Sequence, residues 1–198
     1  MNGFEKRAQG IKNKIKQTTF AMLQTALDLK GMRIADIAKE ARVSQVTIYN
    51  YFGSKEALLT EVIKDYAEKS IRDFEAYLNE GHSLKEKIEH ILSLEKASYK
   101  ELPPGLIKEM MEENRELDRF FREQYQEKTL PLTMRIVQEG KESGEISEKV
   151  SAEQVMALMQ LYMNQYELVL GMAAQSEDRE GFLEGIVHMF FYGICGKP

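Results

Sequence analysis

Residues 34–52 read IADIAKEARVSQVTIYNYF, and this stretch decides the fold of the chain. Apolar residues recur in its first half at helical spacing, at Ile34, Ile37, Ala38 and Ala41. Ser44 then stands where a helix cap belongs, because its hydroxyl can accept from the free backbone N–H groups of a second helix. Two short helices joined by about three residues form a helix-turn-helix, whose second helix enters the major groove of DNA.

The outer face of the predicted second helix, residues 45–51, is poor in charge. Its expected inward residues are Val43, Ile48 and Phe52. The side chains left outside are mostly uncharged hydrogen-bonding groups: Gln45, Val46, Thr47, Tyr49, Asn50 and Tyr51. A helix that needs only solubility more often carries Lys and Glu there. The pattern therefore predicts a surface that reads double-stranded DNA.

Two segments resemble a known family signature. The chain reads SQVTIYNYFGSKEAL over residues 44–58, after IAKEA at residues 37–41. Over roughly residues 11–65 this resembles the TetR (tetracycline repressor) family of bacterial regulators. With the helical pattern of the whole chain, it implies an all-α fold of about nine helices. We expect a three-helix DNA-binding head at residues 1–53, with the helix-turn-helix at about 34–52, and a helical ligand-binding and dimerisation domain at residues 54–198.

The resemblance also implies roles for side chains at the DNA surface. Tyr49, Tyr51 and Lys55 resemble the family's phosphate contacts, which position a head without reading sequence. Gln45 and Thr47 lie near the helix start, which usually meets base edges. Gln can pair with adenine through two hydrogen bonds, and the Thr methyl can pack on a thymine methyl. The predicted DNA-binding residues are Arg42, Ser44, Gln45, Val46, Thr47, Tyr49, Asn50, Tyr51 and Lys55.

Three departures from the family pattern fall in or beside this unit. Arg42 stands where the family often has Gly in the turn, and a left-handed backbone there would cost Arg about 1 kcal/mol. Val46 replaces a common Gly beside Thr47. Met32 and Arg33 stand where Thr residues usually cap the first helix of the unit and contact phosphate.

Charge is unevenly distributed along the 198 residues, whose net charge is −5. Residues 1–60 hold ten Lys and Arg against five Asp and Glu, whereas residues 61–198 hold 17 against 27. A basic head can bind phosphate through its local field although the whole chain is acidic. Alternatively, the basic and acidic residues are divided between the two parts of the chain by chance, without a functional reason.

Composition also limits the cellular compartment and the kinds of metal or catalytic site that are expected. The single cysteine, Cys195, excludes an internal disulfide framework and suits a reducing cytoplasm. No apolar run approaches the roughly 18 residues of a membrane helix, and a signal-peptide core is missing, so we expect no membrane partner. The three histidines share no ligand spacing, and no catalytic motif occurs. We expect no metal, no cofactor and no catalytic residue.

The segments around the helix-turn-helix are predicted as follows. Residues 1–10 form a polar arm, and the first helix spans residues 11–30 with Gly31 as its stop signal. Lys12, Lys14 and Lys16 lie either beside a phosphate backbone or in solvent. Ser54 caps a long helix that runs to about Leu78 and could act as a lever between head and body.

Helix-capping and helix-breaking residues predict where the remaining helices begin and end. Ser83 and Ser151 each open a capping box, and Asn114 caps a helix between them. Residues 102–105 are a loop signal, and Pro131 must kink or interrupt its helix. His90 projects away from the apolar stripe of its helix and is expected to be exposed.

Methionine and aromatic residues in the body predict an adaptable apolar pocket. Plain core packing explains the same residues, so both interpretations stay open. The pocket candidates are Tyr66, Met110, Met111, Phe120, Phe121, Tyr125, Met159, Tyr162 and Met163.

The last two predicted helices, residues 151–174 and 178–194, are apolar nearly all round. Such helices must be covered on both sides, either by a larger core or by a second copy of the chain. The family resemblance implies a homodimer through these helices. The interface candidates are Tyr166, Leu168, Val169, Phe182, Ile186, Met189 and Phe190.

The sequence thus predicts a dimeric, ligand-responsive regulator, a repressor that binds a palindromic operator. A DNA-binding protein of the same fold without effector, acting through a protein partner or in chromosome organisation, is the alternative. A helical-bundle enzyme is disfavoured because no catalytic set clusters in the sequence.

Overall fold

The computed structural model describes residues 2–26, 28–102, 104–178, 181–186 and 188–189. The described chain is all-helical, as predicted, and residues 181–186 are also helical. The helices are α1 (Gly3–Leu23), α2 (Ile34–Ala41), α3 (Gln45–Phe52), α4 (Lys55–Leu78), α5 (Leu84–Glu101), α6 (Pro104–Glu113), α7 (Arg115–Gln124), α8 (Leu130–Glu142), α9 (Ala152–Asn164) and α10 (Tyr166–Gln175).

The chain divides into two compact units, residues 1–129 and 130–198. The first unit contains the helix-turn-helix and also α4 to α7. The functional boundary predicted between residues 53 and 54 stays a prediction.

The first helix differs from its predicted bounds at both ends. It begins at Gly3, because Asn2 Oδ1 accepts from the Glu5 backbone N–H over 2.9 Å and the Glu5 carboxylate accepts from the Asn2 N–H over 2.8 Å. The prediction of a polar arm over residues 1–10 is therefore wrong. The helix ends at Leu23, where the Thr25 and Ala26 N–H groups turn back to the carbonyls of the last turn. Gly31 is not its stop.

Helix α4 is the centre of the first unit and packs against α1, α3, α5 and α7. Its buried side chains Leu58 and Ile63 join one apolar cluster with Ile15 of α1, Ile37 of α2 and Ile48 of α3. Burying one such aliphatic side chain stabilises the fold by about 1.5–3 kcal/mol relative to leaving it exposed. This packing holds the helix-turn-helix on the start of α4.

Two ion pairs join α1 to α4 and correct the prediction for Lys12 and Lys16. Lys12 Nζ lies 3.2 Å from Glu61 Oε2, and Lys16 pairs with Asp65. Lys12 Nζ also lies 5.2 Å above the centre of the Phe52 ring. The repeat of four residues on both helices places Lys12 and Lys16 on the face that packs on α4, with neither the phosphate nor the solvent role predicted for them.

The turn between α4 and α5 is ordered by a capping box and stacked rings. Ser83 caps α5 as predicted: its Oγ accepts from the Glu86 N–H over 3.3 Å, and its own N–H donates to Glu86 Oε2 over 2.8 Å. His90 is half-buried, because its ring stacks 3.7 Å from that of Tyr77, while His82 stacks on Tyr77 at 3.9 Å. The expectation that His90 is exposed is therefore wrong.

Proline positions set the boundaries of the next helices. Helix α6 begins at Pro104, within the loop predicted at residues 102–105, because proline lacks the N–H that the first helical turn leaves unpaired anyway. Ahead of Pro131 the chain forms a π-helical turn at Tyr125–Thr129, and α8 then begins at Leu130. The predicted interruption is confirmed.

In the second unit, Ser151 opens α9 as predicted, since its N–H donates to Gln154 Oε1 over 2.8 Å and its Oγ accepts from the Gln154 N–H over 3.2 Å. The helix does not run unbroken to Ala174. It breaks at Gln165, whose N–H is shared between the carbonyls of Leu161 and Tyr162 at 3.2 Å each. Within the described residues, no helix is both long and apolar enough to cross a membrane.

Candidate nucleic-acid interface

The turn between α2 and α3 is built on a left-handed residue. Arg42 has φ 52° and ψ 48°, and it is the one residue other than glycine with positive φ in the described part of the chain. The Val43 N–H donates to the Ala38 carbonyl over 2.9 Å, and the Arg42 N–H donates to that of Lys39 over 3.2 Å. These bonds form a Schellman motif, which usually has Gly at this position. The predicted strain at Arg42 is therefore present.

Ser44 caps α3 as predicted. Its Oγ accepts from the Thr47 N–H over 3.0 Å and lies 2.8 Å from Thr47 Oγ1. The bond between the two hydroxyls and the cap on the Thr47 N–H together stabilise the first turn of α3. Both the backbone N–H and the hydroxyl of Thr47 thus contact Ser44 within the protein.

The structure separates the outer and inner faces of α3 as the periodicity predicts. Ile48 and Phe52 are buried in the head. The exposed side chains are those of Gln45, Val46, Tyr49 and Asn50, with Arg42 and Ser44 beside them in the turn. Tyr51 is half-buried and packs on the apolar cluster. It is therefore less accessible to a DNA phosphate than the predicted outer position on α3 implied.

Lys55 lies at the first turn of α4, where backbone N–H groups add partial positive charge. Its Nζ donates to the Leu29 carbonyl over 2.5 Å, so it holds the connection between α1 and α2. Ser54 caps the helix and accepts from the Ala57 N–H over 3.0 Å. The sequence did not predict the contact with Leu29, since 26 residues separate the two partners.

Helix α2 begins without a side-chain cap, as the departure from Thr at residues 32 and 33 indicated. Arg33 makes a bidentate pair with Asp36, with Nε–Oδ2 at 2.8 Å and Nη2–Oδ1 at 3.1 Å. The hydrogen bond from Arg33 lowers the pKa of the Asp36 carboxyl. Arg33 therefore carries a compensated charge at the helix start.

Helix α7 is tied to α4 beside the predicted pocket. Asn114 Oδ1 caps α7 by accepting from the N–H groups of Glu116 and Leu117, and its Nδ2 donates to Thr60 Oγ1 over 2.7 Å. Lys64 Nζ lies 2.6 Å from Glu116 Oε1 and 5.2 Å from the centre of the Phe120 ring. The sequence predicted the cap but not its link to α4.

Five of the pocket candidates meet in the first unit. Met110 is buried in the apolar cluster, and Tyr66, Met111, Phe120 and Phe121 pack against it. Tyr125, in the π-helical turn, is exposed. Tyr162, in α9, is half-buried, and the side chains of Met159 and Met163 lie outside the described residues.

Among the pocket candidates, Tyr66 of α4 is half-buried where it contacts α1. Its ring stacks on Phe20 with centroids 5.1 Å apart. Burial, together with a hydrogen bond to the Glu101 carboxylate, raises the pKa of the Tyr66 hydroxyl to about 12. A neutral hydroxyl beside apolar side chains can orient a ligand, but it serves core packing equally well.

The interface candidates of the second unit include large exposed apolar side chains. Leu168 is 60% exposed and Met189 is 59% exposed, and Leu161 and Met172 are similarly open. Val169, Phe182 and Ile186 are half-buried. The side chain of Tyr166 and the whole of Phe190 lie outside the described residues. Among those described, no group of three or more His, Cys, Asp or Glu could hold a metal ion.

Comparison with known proteins agrees with this architecture. Residues 27–62 match the family described as bacterial regulatory proteins, tetR family. Comparison with curated proteins finds no match. Among solved structures, the fold is similar to that of a candidate TetR-family transcriptional regulator from Mesorhizobium loti, with a TM-score of 0.69 and 20% identity over 94% of this chain and 98% of that one.

Two other similar structures are regulators named FadR. The fatty acid degradation regulator FadR from Bacillus halodurans has a TM-score of 0.64 and 18% identity, covering 92% of this chain and 95% of its own. FadR from Bacillus subtilis, solved in complex with stearoyl-CoA, has a TM-score of 0.60 and 21% identity, covering 91% and 98%. The match at residues 27–62 thus falls on the helix-turn-helix formed by α2 and α3, and the fold of the chain is similar to that of TetR-family transcriptional regulators.

Proposed function

We propose that the chain acts in the cytoplasm as a dimeric repressor that binds a palindromic operator and releases it when an apolar or amphipathic effector binds. The observation that carries this proposal is the link between α4 and α7. Helix α4 begins directly after the DNA-reading helix, and α7 carries Phe120 and Phe121 of the predicted pocket. A ligand that moves α7 would act on α4 through contacts that already exist.

Two features of the head support operator binding. The outer face of α3 is exposed and rich in hydrogen-bonding groups, while its inner face is fixed by Ile48 and Phe52. A palindromic site follows from a two-fold dimer, which presents two copies of α3 to major grooves about 34 Å apart. Effector binding would favour an arrangement in which this spacing is lost.

Dimerisation is supported by the exposed apolar side chains of the second unit. Leu168 and Met172 lie four residues apart on α10, a spacing that keeps both side chains on one stripe of that helix, and Leu161 is exposed near the end of α9. Monomeric proteins rarely leave contiguous apolar patches in water. A second copy of the chain is the occupant that the family architecture offers.

The chemical class of the effector is inferred from the apolar cluster and from the FadR structures. Tyr66, Met110, Met111, Phe120 and Phe121 could adapt around a long hydrocarbon chain, because Met side chains are flexible and polarisable. We propose a long-chain acyl compound, with an acyl-CoA thioester as the first candidate. The similarity in fold to FadR from Bacillus subtilis in complex with stearoyl-CoA supports this class.

The test combines thermal unfolding with operator release. A duplex is first selected from a randomised library with the intact protein, and its release is followed by fluorescence anisotropy. Stearoyl-CoA at a hundredfold excess over its Kd should stabilise the fold by about 2.7 kcal/mol and raise Tm by several degrees. It should also release the duplex, whereas CoA alone should do neither.

Controls separate the acyl-CoA proposal from its alternatives. Free stearate distinguishes recognition of the hydrocarbon chain from recognition of the thioester and nucleotide. If acyl compounds neither stabilise the protein nor release a selected operator, the acyl class is wrong. If no sequence is enriched by the protein, operator recognition itself is wrong.

A further inference from the structure

Val46 occupies an unusual position on the DNA-reading helix. It is the second residue of α3, in the turn that usually meets base edges, and its side chain is 65% exposed. Among the described residues, no large apolar side chain is more exposed. Contact with water does not stabilise an exposed branched apolar side chain. Val46 can therefore strengthen binding only by packing against an apolar group of a partner.

The neighbours of Val46 narrow the identity of that partner. Thr47 is half-buried and its hydroxyl lies 2.8 Å from that of Ser44, so the exposed side chains in the first turn of α3 are those of Gln45 and Val46. The floor of the major groove presents hydrogen-bonding groups at every base pair but one apolar group, the C5-methyl of thymine. Apolar contact with that methyl is an established way to distinguish thymine from the other bases.

We infer that Val46 reads a thymine C5-methyl group and fixes an A·T pair at one position of each operator half-site. The inference rests on the proposed binding of operator DNA by α3 and assigns part of its specificity. Gln45 would read an adjacent position through hydrogen bonds, so the two side chains specify by different chemistry.

The experiment removes only the methyl group. After selection of a duplex with the intact protein, each thymine in the half-site is replaced in turn by deoxyuridine, which leaves base pairing unchanged. One position in each half-site should lose roughly fourfold in affinity, the effect expected for one buried carbon group. Replacement at the other thymines should have little effect.

A variant assigns the methyl contact to its residue. Val46→Ala should weaken binding to the thymine duplex and abolish the penalty for uracil at that position. Gln45→Ala is the matched control, because it should weaken binding while keeping the uracil penalty. Both side chains are exposed, so thermal unfolding should show Tm values near that of the parent protein.

A second base analogue tests the methyl group independently of the A·T pair. A C·G pair at the same position should bind poorly, and 5-methylcytosine there should recover part of the lost affinity with the parent protein but not with Val46→Ala. The inference is overturned if every uracil replacement is tolerated, or if Val46→Ala keeps the full uracil penalty. Failure to select any sequence would instead contradict the proposed function, which is a separate result.

Discussion

Asn114 Nδ2 donates a hydrogen bond to Thr60 Oγ1 over 2.7 Å and joins the start of α7 to the middle of α4. Thr60 Oγ1 in turn donates to the Glu56 carbonyl over 2.8 Å. The hydroxyl proton of Thr60 is therefore already used, and Asn114 can only act as the donor. The same Asn114 side chain caps α7 with its oxygen. One residue thus holds both the helix start and the inter-helix contact.

Asn114→Asp should uncouple effector binding from operator release. Aspartate keeps the cap acceptor but has no proton for Thr60, so only the link to α4 is lost. A hydrogen bond of this kind contributes about 0.5–1.5 kcal/mol, so the effector concentration for half-release should change by roughly two- to twelvefold. This concentration is measured by fluorescence anisotropy while stearoyl-CoA is added to the complex of protein and labelled operator.

Thr60→Val serves as the partner variant, and the two changes together should be less than additive, because they remove the same contact. Unchanged release in Asn114→Asp, with equal losses of stability and operator affinity, would show that this contact only supports the fold.

Arg42→Gly should raise Tm, because Gly adopts the left-handed backbone at residue 42 without the strain that a side chain adds. A gain of up to about 1 kcal/mol corresponds to roughly 2–4 °C in a chain of this size. The same change removes a positive charge beside the DNA surface, so the salt dependence of operator binding should fall by about one unit per subunit. Arg42→Ala is the control, since it removes the charge but keeps the strain. A Tm for Arg42→Gly at or below that of Arg42→Ala would contradict the account of strain.

The sequence predicted those parts of the fold that depend on bonds within three or four residues. Ser44, Ser54, Ser83, Asn114 and Ser151 all cap helices where expected, because a cap needs only its own residue and the N–H groups just after it. The buried and exposed faces of α3 were also predicted, because helical periodicity depends only on residues three and four positions apart.

What the sequence could not predict depends on distant partners. Lys12 and Lys16 pair with residues 49 positions away, and Lys55 with a carbonyl 26 positions away. The burial of His90 follows from its stack on Tyr77, which periodicity within α5 does not encode. Tertiary packing decides these positions, so a pattern read along one helix assigns them to solvent or to DNA.

Leu168→Glu should disrupt the proposed dimer. A carboxylate placed on an apolar seam would be desolvated without a partner, and this cost opposes association. Light scattering at micromolar concentration should show a dimer for the parent protein and a monomer or precipitate for the variant. Lys149→Glu, an exposed change elsewhere in the second unit, should remain dimeric. A monomeric parent protein would contradict the dimer.

Phe121→Ala should weaken the effector response while operator binding without effector stays near that of the parent protein. Phe121 is half-buried on α7, so removing its ring alters a pocket surface more than the central core. The control is Leu117→Ala on the same helix, where truncation of a fully buried side chain should cost about 2–5 kcal/mol of stability. If Phe121→Ala behaves like Leu117→Ala in folding, DNA binding and response, Phe121 belongs to the core and not to a pocket.

The central claim is that α3 reads bases while the residues around it hold the DNA backbone. It is tested most directly by fluorescence anisotropy of the variants Gln45→Ala and Lys55→Ala, each with a selected and a scrambled duplex across a salt series. The Tm of each variant is measured in parallel, because Lys55 also donates to the Leu29 carbonyl. Gln45→Ala should lose about 1–3 kcal/mol on the selected duplex and little on the scrambled one. Lys55→Ala should weaken both duplexes alike and lower the salt slope by roughly one unit per subunit. If both variants leave affinity and salt slope unchanged, α3 is not the DNA-reading helix.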